Sequence, residues 1–162
     1  MEETIIEVRM GDMQKGTAPG RLVTRALGSC LGITIYNPFK KIGAMAHPML
    51  PDIDKSRTKL NPNRYVNYVI RKMLEELESA GNLRANLAVK IFGGAHMFSF
   101  INADSALNVG EKNIVMARAV FEELGLKTIA EEVGGTFGRT IELNLENGKV
   151  IVDTISWGRK EV

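Results

Sequence analysis

Apolar positions along this chain follow two rhythms. Over residues about 63 to 80, Val66, Val69, Ile70, Met73, Leu74 and Leu77 recur at three- and four-residue steps, the spacing of one helix face. Asn61-Pro62 supplies a start signal and Gly81 a stop. A second helix is predicted over about 110 to 124, with Ile114, Ala117, Val120, Phe121 and Leu124 inward and Gly125 ending it.

The remaining apolar runs are short and read as strands: 22–27, 31–36, 42–47, 87–92, 127–133, "RTIELNL" and "KVIVDTI". The last two flank "ENGK", where Asn147-Gly148 predicts a two-residue hairpin turn. Each helix lies between strands, so the order implies an α/β protein with a mixed sheet, or two sheets, covered by helices. The segment 51–63 is polar with two prolines and is expected to be an exposed, mobile loop.

Composition narrows the function. With 162 residues and 44% apolar content, the chain suits a single domain over 1–162 with its own core. The net charge of +2, with basic and acidic residues interspersed, is no footprint for nucleic acid. The start "MEETIIEVRMGD" is no signal peptide, and no apolar run approaches the ~20 residues that span a bilayer. The expected location is the cytoplasm, without insertion into a membrane. One cysteine cannot form an internal disulfide, and two histidines without metal-ligand spacing make a metal site improbable.

That cysteine sits in "LGSCLGITIYNPFKKIGAMAHPMLP", residues 27 to 51, together with His47. If "NPFK" forms a four-residue turn, Tyr36 lies opposite Lys41 and Cys30 opposite His47. Opposed residues share a face with Cβ atoms ~4.5–5.5 Å apart, and a one-residue slip would separate them. A thiol beside an imidazole can form a thiolate nucleophile, with the imidazolium protonating the leaving group. Gly28 permits close backbone approach, and N–H groups near such a turn could hold an oxyanion. The alternative is a small buried cysteine without chemistry. Thr24 has two readings as well: a hydroxyl or carbonyl that orients the ring of His47, or a β-branched residue that merely suits a strand.

Other features read more plainly. His96 in "FGGAHMF" is a loop histidine that could be a base; Glu75, Glu76 and Glu78 form a solvated helix face. "GGTFGR" lies between strands, so it is a turn approaching something closely rather than a phosphate cradle.

The run from Thr24 through "C-L-G-I-T-I-Y-N-P-F-K-K-I-G-A-M-A-H-P-M-L-P" resembles the CheD family of chemoreceptor glutamine deamidases. So do "KIFGGAHMF", "NVGEKNIVMARAVFEELGL" and "AEEVGGTFGRTIELNLENGKV", in order over nearly the whole chain. The resemblance implies conversion of receptor glutamines to glutamate, with Cys30 as nucleophile, His47 as base and Thr24 as the orienting residue. It implies cytoplasmic helices of chemotaxis receptors as substrate, the CheC phosphatase as a partner, and no cofactor or metal. The implied fold packs mixed β-sheets as a sandwich with helices outside, similar to deamidating bacterial toxins. The chain departs from the family where Pro48 replaces the usual aromatic or aliphatic residue, where Tyr65-Val66-Asn67 replaces "YAD", and where "AEE" replaces "AED".

Overall fold

A computed structural model describes residues 2–97 and 108–162. Ten strands and two α-helices follow in the order β1 (Thr4–Glu7), β2 (Met13–Thr17), β3 (Gly20–Leu27), β4 (Leu31–Asn37), β5 (Ile42–Ala46), α1 (Val66–Ser79), β6 (Ala88–Gly93), α2 (Val109–Leu124), β7 (Thr128–Val133), β8 (Arg139–Asn144), β9 (Val150–Thr154) and β10 (Gly158–Glu161). The strands form two five-stranded sheets, ordered β1-β3-β8-β9-β10 and β2-β5-β4-β6-β7. Both are mixed: β1 runs parallel to β3 and β7 parallel to β6, while the other pairs are antiparallel.

Strand alternation assigns each face of the second sheet a different neighbour. Leu31, Ile33 and Ile35 of β4 and Ala44 and Ala46 of β5 join one apolar cluster with the inward stripes of α1 and α2. Tyr36, Met45 and Phe92 point the other way and pack with Leu22, Leu27, Ile141, Leu143 and Val152 of the first sheet. The layers are therefore sheet, sheet, helices, as the expected sandwich with outer helices requires. Glycine brings the sheets together: a Cβ at Gly32 would lie 2.6 Å from Cδ1 of Ile141 and 2.8 Å from Cδ1 of Leu27.

Several expectations need correction. The β4–β5 turn comprises residues 38 to 41, so Tyr36 faces Gly43 rather than Lys41. The predicted turn "NPFK" began one residue early, because Asn37 still belongs to β4 and its Oδ1 caps the N–H groups of Phe39 and Lys40 at 3.0 and 3.3 Å. Leu143 pairs with Val150, so the β8–β9 connection is longer than a two-residue Asn147-Gly148 turn. Residues 62–64 form a 3-10 turn before α1 instead of its first turn. The 51–63 loop is mostly exposed but held at its start, where Asn67 Nδ2 donates to Asp52 Oδ1 and Asn67 Oδ1 accepts from Ile53 N–H, both at 2.9 Å. The strands β1, β2 and β10 had no counterpart in the predicted set.

Candidate active site

Thr24 and His47 reach each other across the gap between the sheets. Extending the β4–β5 ladder by one step places His47 opposite Gly32, whose Cβ direction faces the first sheet. His47 shares that face and so points at β3. Thr24 of β3 meets it: Thr24 Oγ1 lies 2.7 Å from His47 Nδ1 and 2.6 Å from the carbonyl of Val8. A hydroxyl has one proton to give. That proton goes to Val8, because a carbonyl can only accept. Thr24 must then accept from His47, so the imidazole is protonated at Nδ1 and carries its lone pair on Nε2. Nε2 is buried and has no hydrogen-bond partner among the described residues.

A β-bulge sets up this arrangement. Thr24 pairs with Ile141 and Leu27 with Arg139, which leaves one extra residue on β3. Ala26 takes a positive φ of 57° there. The extra residue lets both Thr24 and Leu27 face inward although three positions apart.

Cys30 lies in the bend that precedes β4, half-buried against the inter-sheet cluster. The ladder runs two residues out of the expected register, and its extension places Cys30 opposite Met49 rather than His47. A shift of two preserves the face, so thiol and imidazole remain on the same side of the sheet. The Cys30 carbonyl accepts from Gly94 N–H at 2.9 Å, and the Gly28 carbonyl accepts from Ala95 N–H at 2.9 Å. Gly93 fits only as glycine: its φ is +95°, and a Cβ would lie 2.4 Å from the Cys30 carbonyl oxygen. "FGGAH" thus braces the Cys30 loop. "GGTFGR" braces it in turn, through Gly134 N–H to Gly93 at 2.9 Å and His96 N–H to Gly135 at 2.8 Å. The His96 side chain is half-buried with Nε2 unpartnered among the described residues, and its backbone is what ties it to the site. Phe98 of the same run lies outside the described residues.

Pro48 also finds a physical account. Leu31 N–H donates to the Pro48 carbonyl at 3.1 Å. An antiparallel pair of this kind normally exchanges two bonds, but proline has no N–H to return. The ladder therefore ends between the cysteine and the histidine with one bond missing. On its other side His47 is held fully, donating to Asp12 at 3.0 Å and accepting from Gly11 at 2.8 Å.

Burial sets the protonation of both groups. It lowers His47 from 6.5 to about 4 and pushes the Cys30 thiol above its ordinary value, an effect opposed by the Cys30 N–H facing its own sulfur. At neutral pH the resting pair is therefore a neutral thiol and a neutral imidazole, and among the described residues no carboxylate bonds to the imidazole. Among the described residues no three of His, Cys, Asp and Glu converge on one point. An open groove of about 590 Å³, lined by Arg25, Ala26, Phe137, Arg139 and Ile155 among others, runs beside the bulge that leads to Cys30.

The family model for CheD chemotactic sensory transduction matches residues 49–154. The "Probable chemoreceptor glutamine deamidase CheD" of Caldanaerobacter subterraneus is 39% identical over 163 residues, covering 100% of both chains. The chain belongs to the CheD family. The "Chemoreceptor glutamine deamidase CheD" of Halalkalibacterium halodurans is 36% identical over 159 residues, 98% of each chain. The "Probable chemoreceptor glutamine deamidase CheD" of Desulforamulus reducens is 35% identical over 150 residues, 93% of this chain and 90% of its own. Thr24, Cys30 and His47 precede the segment matched by the CheD model and fall within the full-length match to the Caldanaerobacter protein.

Asn113 is a residue of this region that sequence reasoning missed. It lies on the buried face of α2, and its Nδ2 donates to the carbonyls of Ser29 at 2.9 Å and Met49 at 3.1 Å. The available signal was a polar residue four positions before Ala117, on the stripe that otherwise carries apolar side chains.

Proposed function

We propose that this protein is a cysteine-dependent protein-glutamine deamidase acting on chemotaxis receptors, as the names of its relatives describe for them. The observation that carries the reading is the Thr24–His47 bond of 2.7 Å, which leaves an unpartnered Nε2 lone pair on the face that Cys30 shares. Cys30 gives its proton to that nitrogen as its sulfur attacks the glutamine carboxamide carbon. The tetrahedral oxyanion collapses, the C–N bond breaks, and His47 returns the proton to the departing ammonia. His47 Nε2 next takes a proton from water, hydroxide attacks the thioester, the C–S bond breaks, and His47 returns that proton to the Cys30 sulfur while the receptor keeps a glutamate.

A neutral resting pair suits this cycle, since the imidazolium exists only transiently and the amide nitrogen consumes its proton. The same acyl half-reaction would hydrolyse a glutamyl methyl ester. A role in the cytoplasm and regulation through the CheC phosphatase belong to this reading, and the shared apolar layer between the sheets supports one domain over 1–162. No described helix is long and apolar enough to cross a membrane.

The test is intact-mass and peptide mass spectrometry of a receptor cytoplasmic domain incubated with wild-type or Cys30→Ala protein. Wild type adds about one mass unit per glutamine converted, and Cys30→Ala adds none. Equal conversion by both proteins would remove Cys30 from the mechanism.

A further inference from the structure

The ends of β4 and β5 need a cross-link that their own backbones do not supply. Pro48 deletes one bond of the last ladder pair, and beyond that pair the chains diverge toward Cys30 on one side and Met49 on the other. Asn113 bridges this opening. Its amide places one N–H on Ser29, the residue before the nucleophile, and one on Met49, two residues after the base. Two carbonyl partners require the NH2 end of the amide, so the orientation is fixed by chemistry.

The residue is fully buried, and its Oδ1 has no partner among the described residues. A helix position packed into a core would be more stable with an apolar residue, because asparagine is a weaker helix former and an unpaired buried oxygen costs about 1–3 kcal/mol. What asparagine uniquely offers here is two donors from one atom. Its helix is pressed close for that contact: a Cβ at Gly110 would lie 2.4 Å from the Ala95 carbonyl, inside the strand extension that braces the Cys30 loop.

We infer that Asn113 is a positioning residue for the deamidation reaction, holding the Cys30 loop and the His47 segment at the spacing that proton transfer needs. It touches neither reacting group and acts through Ser29 and Met49. The inference rests on the reading of Cys30 and His47 as nucleophile and base.

Two substitutions in the full chain test it: Asn113→Leu, which keeps the branched shape and removes both donors, and Asn113→Ala. Three readouts apply: deamidation kinetics on the receptor domain, iodoacetamide labelling of Cys30 against pH, and amide hydrogen exchange. The expected result is a ~100-fold fall in kcat, the scale of a displacement of about 1 Å, with KM within about threefold, since binding is untouched. Labelling moves the opposite way: the loosened loop exposes the thiol, its titration moves down toward an ordinary ~8.5, and labelling at pH 8 becomes faster. Exchange quickens at Leu31 and Gly94, whose N–H groups bond to Pro48 and Cys30, and not in α1.

Unchanged kcat and labelling in Asn113→Leu would overturn the inference. So would loss of cooperative unfolding in both variants, since Asn113 would then hold the fold rather than the site. Labelling and exchange do not depend on turnover, so persistence of deamidation in Cys30→Ala would sink the mechanism separately.

Discussion

On the side of β4 and β5 that meets the helices, Leu31, Ile33, Ile35, Ala44 and Ala46 are fully buried in a layer that is apolar around them, with Asn113 of α2 at its edge. The side that meets the other sheet carries Cys30, Gly32, Tyr36, Gly43 and His47. Both faces exclude water, but they use that exclusion differently. The helix side converts burial into stability through close packing. The sheet side uses it to strip an imidazole of solvent and leave its lone pair unspent. Glycines at 32 and 43 thin this layer so that a side chain of one sheet can reach a hydroxyl of the other. One hairpin thus separates the cost of holding a reactive group from the packing that offsets it.

That division is sharpest if the two faces fail independently. His47→Gln should lower kcat by roughly 10²–10⁴-fold, the range for losing a general acid–base, while the protein still unfolds cooperatively at pH 7. Ile35→Ala, on the helix side, should cost about 2–5 kcal/mol of stability with little change in kcat of the folded fraction. Urea unfolding monitored beside turnover on the receptor domain measures both. An Ile35→Ala protein whose kcat fell as far as that of His47→Gln would show that the faces are coupled.

The helix side was legible in the sequence and the sheet side only in part, for a physical reason. Stripes such as Val66, Val69, Ile70 and Met73 repeat because one whole face is apolar, so periodicity reports it directly. The site is built from single residues on separate strands, and no local pattern records that Thr24 meets His47. Hairpin parity put Cys30 and His47 on one face even though the register was two residues off, because an even shift preserves the face. Family resemblance, not spacing, singled out Thr24 from other strand threonines. The β3 bulge left no local pattern, since Arg25 and Ala26 look like ordinary strand residues and the extra residue exists only relative to β8. The edge strand β2, "MQKGT", escaped notice because an edge need not be apolar.

Solvent exclusion around His47 should also appear in the pH dependence of stability. The folded-state value is about 4 against an ordinary 6.5. As pH falls through 6.5 the unfolded chain takes up the proton first, so His47 contributes full stability above that pH and loses it as pH approaches 4. The full loss is roughly 3 kcal/mol. Carboxylates titrate over the same range, so the measurement is a difference. Wild type should lose more unfolding free energy between pH 7 and pH 4.5 than His47→Gln does. Equal losses would mean that His47 is as well solvated when folded as when unfolded, and the contrast between the faces would weaken.

The finest test concerns a single hydroxyl. Thr24→Val keeps the β-branched shape and removes the acceptor for Nδ1–H together with the donor to Val8. Two buried polar groups are then unpaired, at about 2 kcal/mol. The imidazole also loses the bond that holds its proton on Nδ1. Molecules that carry the proton on Nε2 instead present a donor where a base is needed, and they cannot take the thiol proton. The expected fall in kcat is about tenfold, with Thr24→Ser restoring most of it because the hydroxyl alone makes both bonds. A nitrogen-15 spectrum of the His47 ring separates the two causes of a slower enzyme. A change in tautomer in Thr24→Val, reversed in Thr24→Ser, assigns the loss to proton placement; an unchanged tautomer would assign it to packing and make the inter-sheet face more like its apolar counterpart.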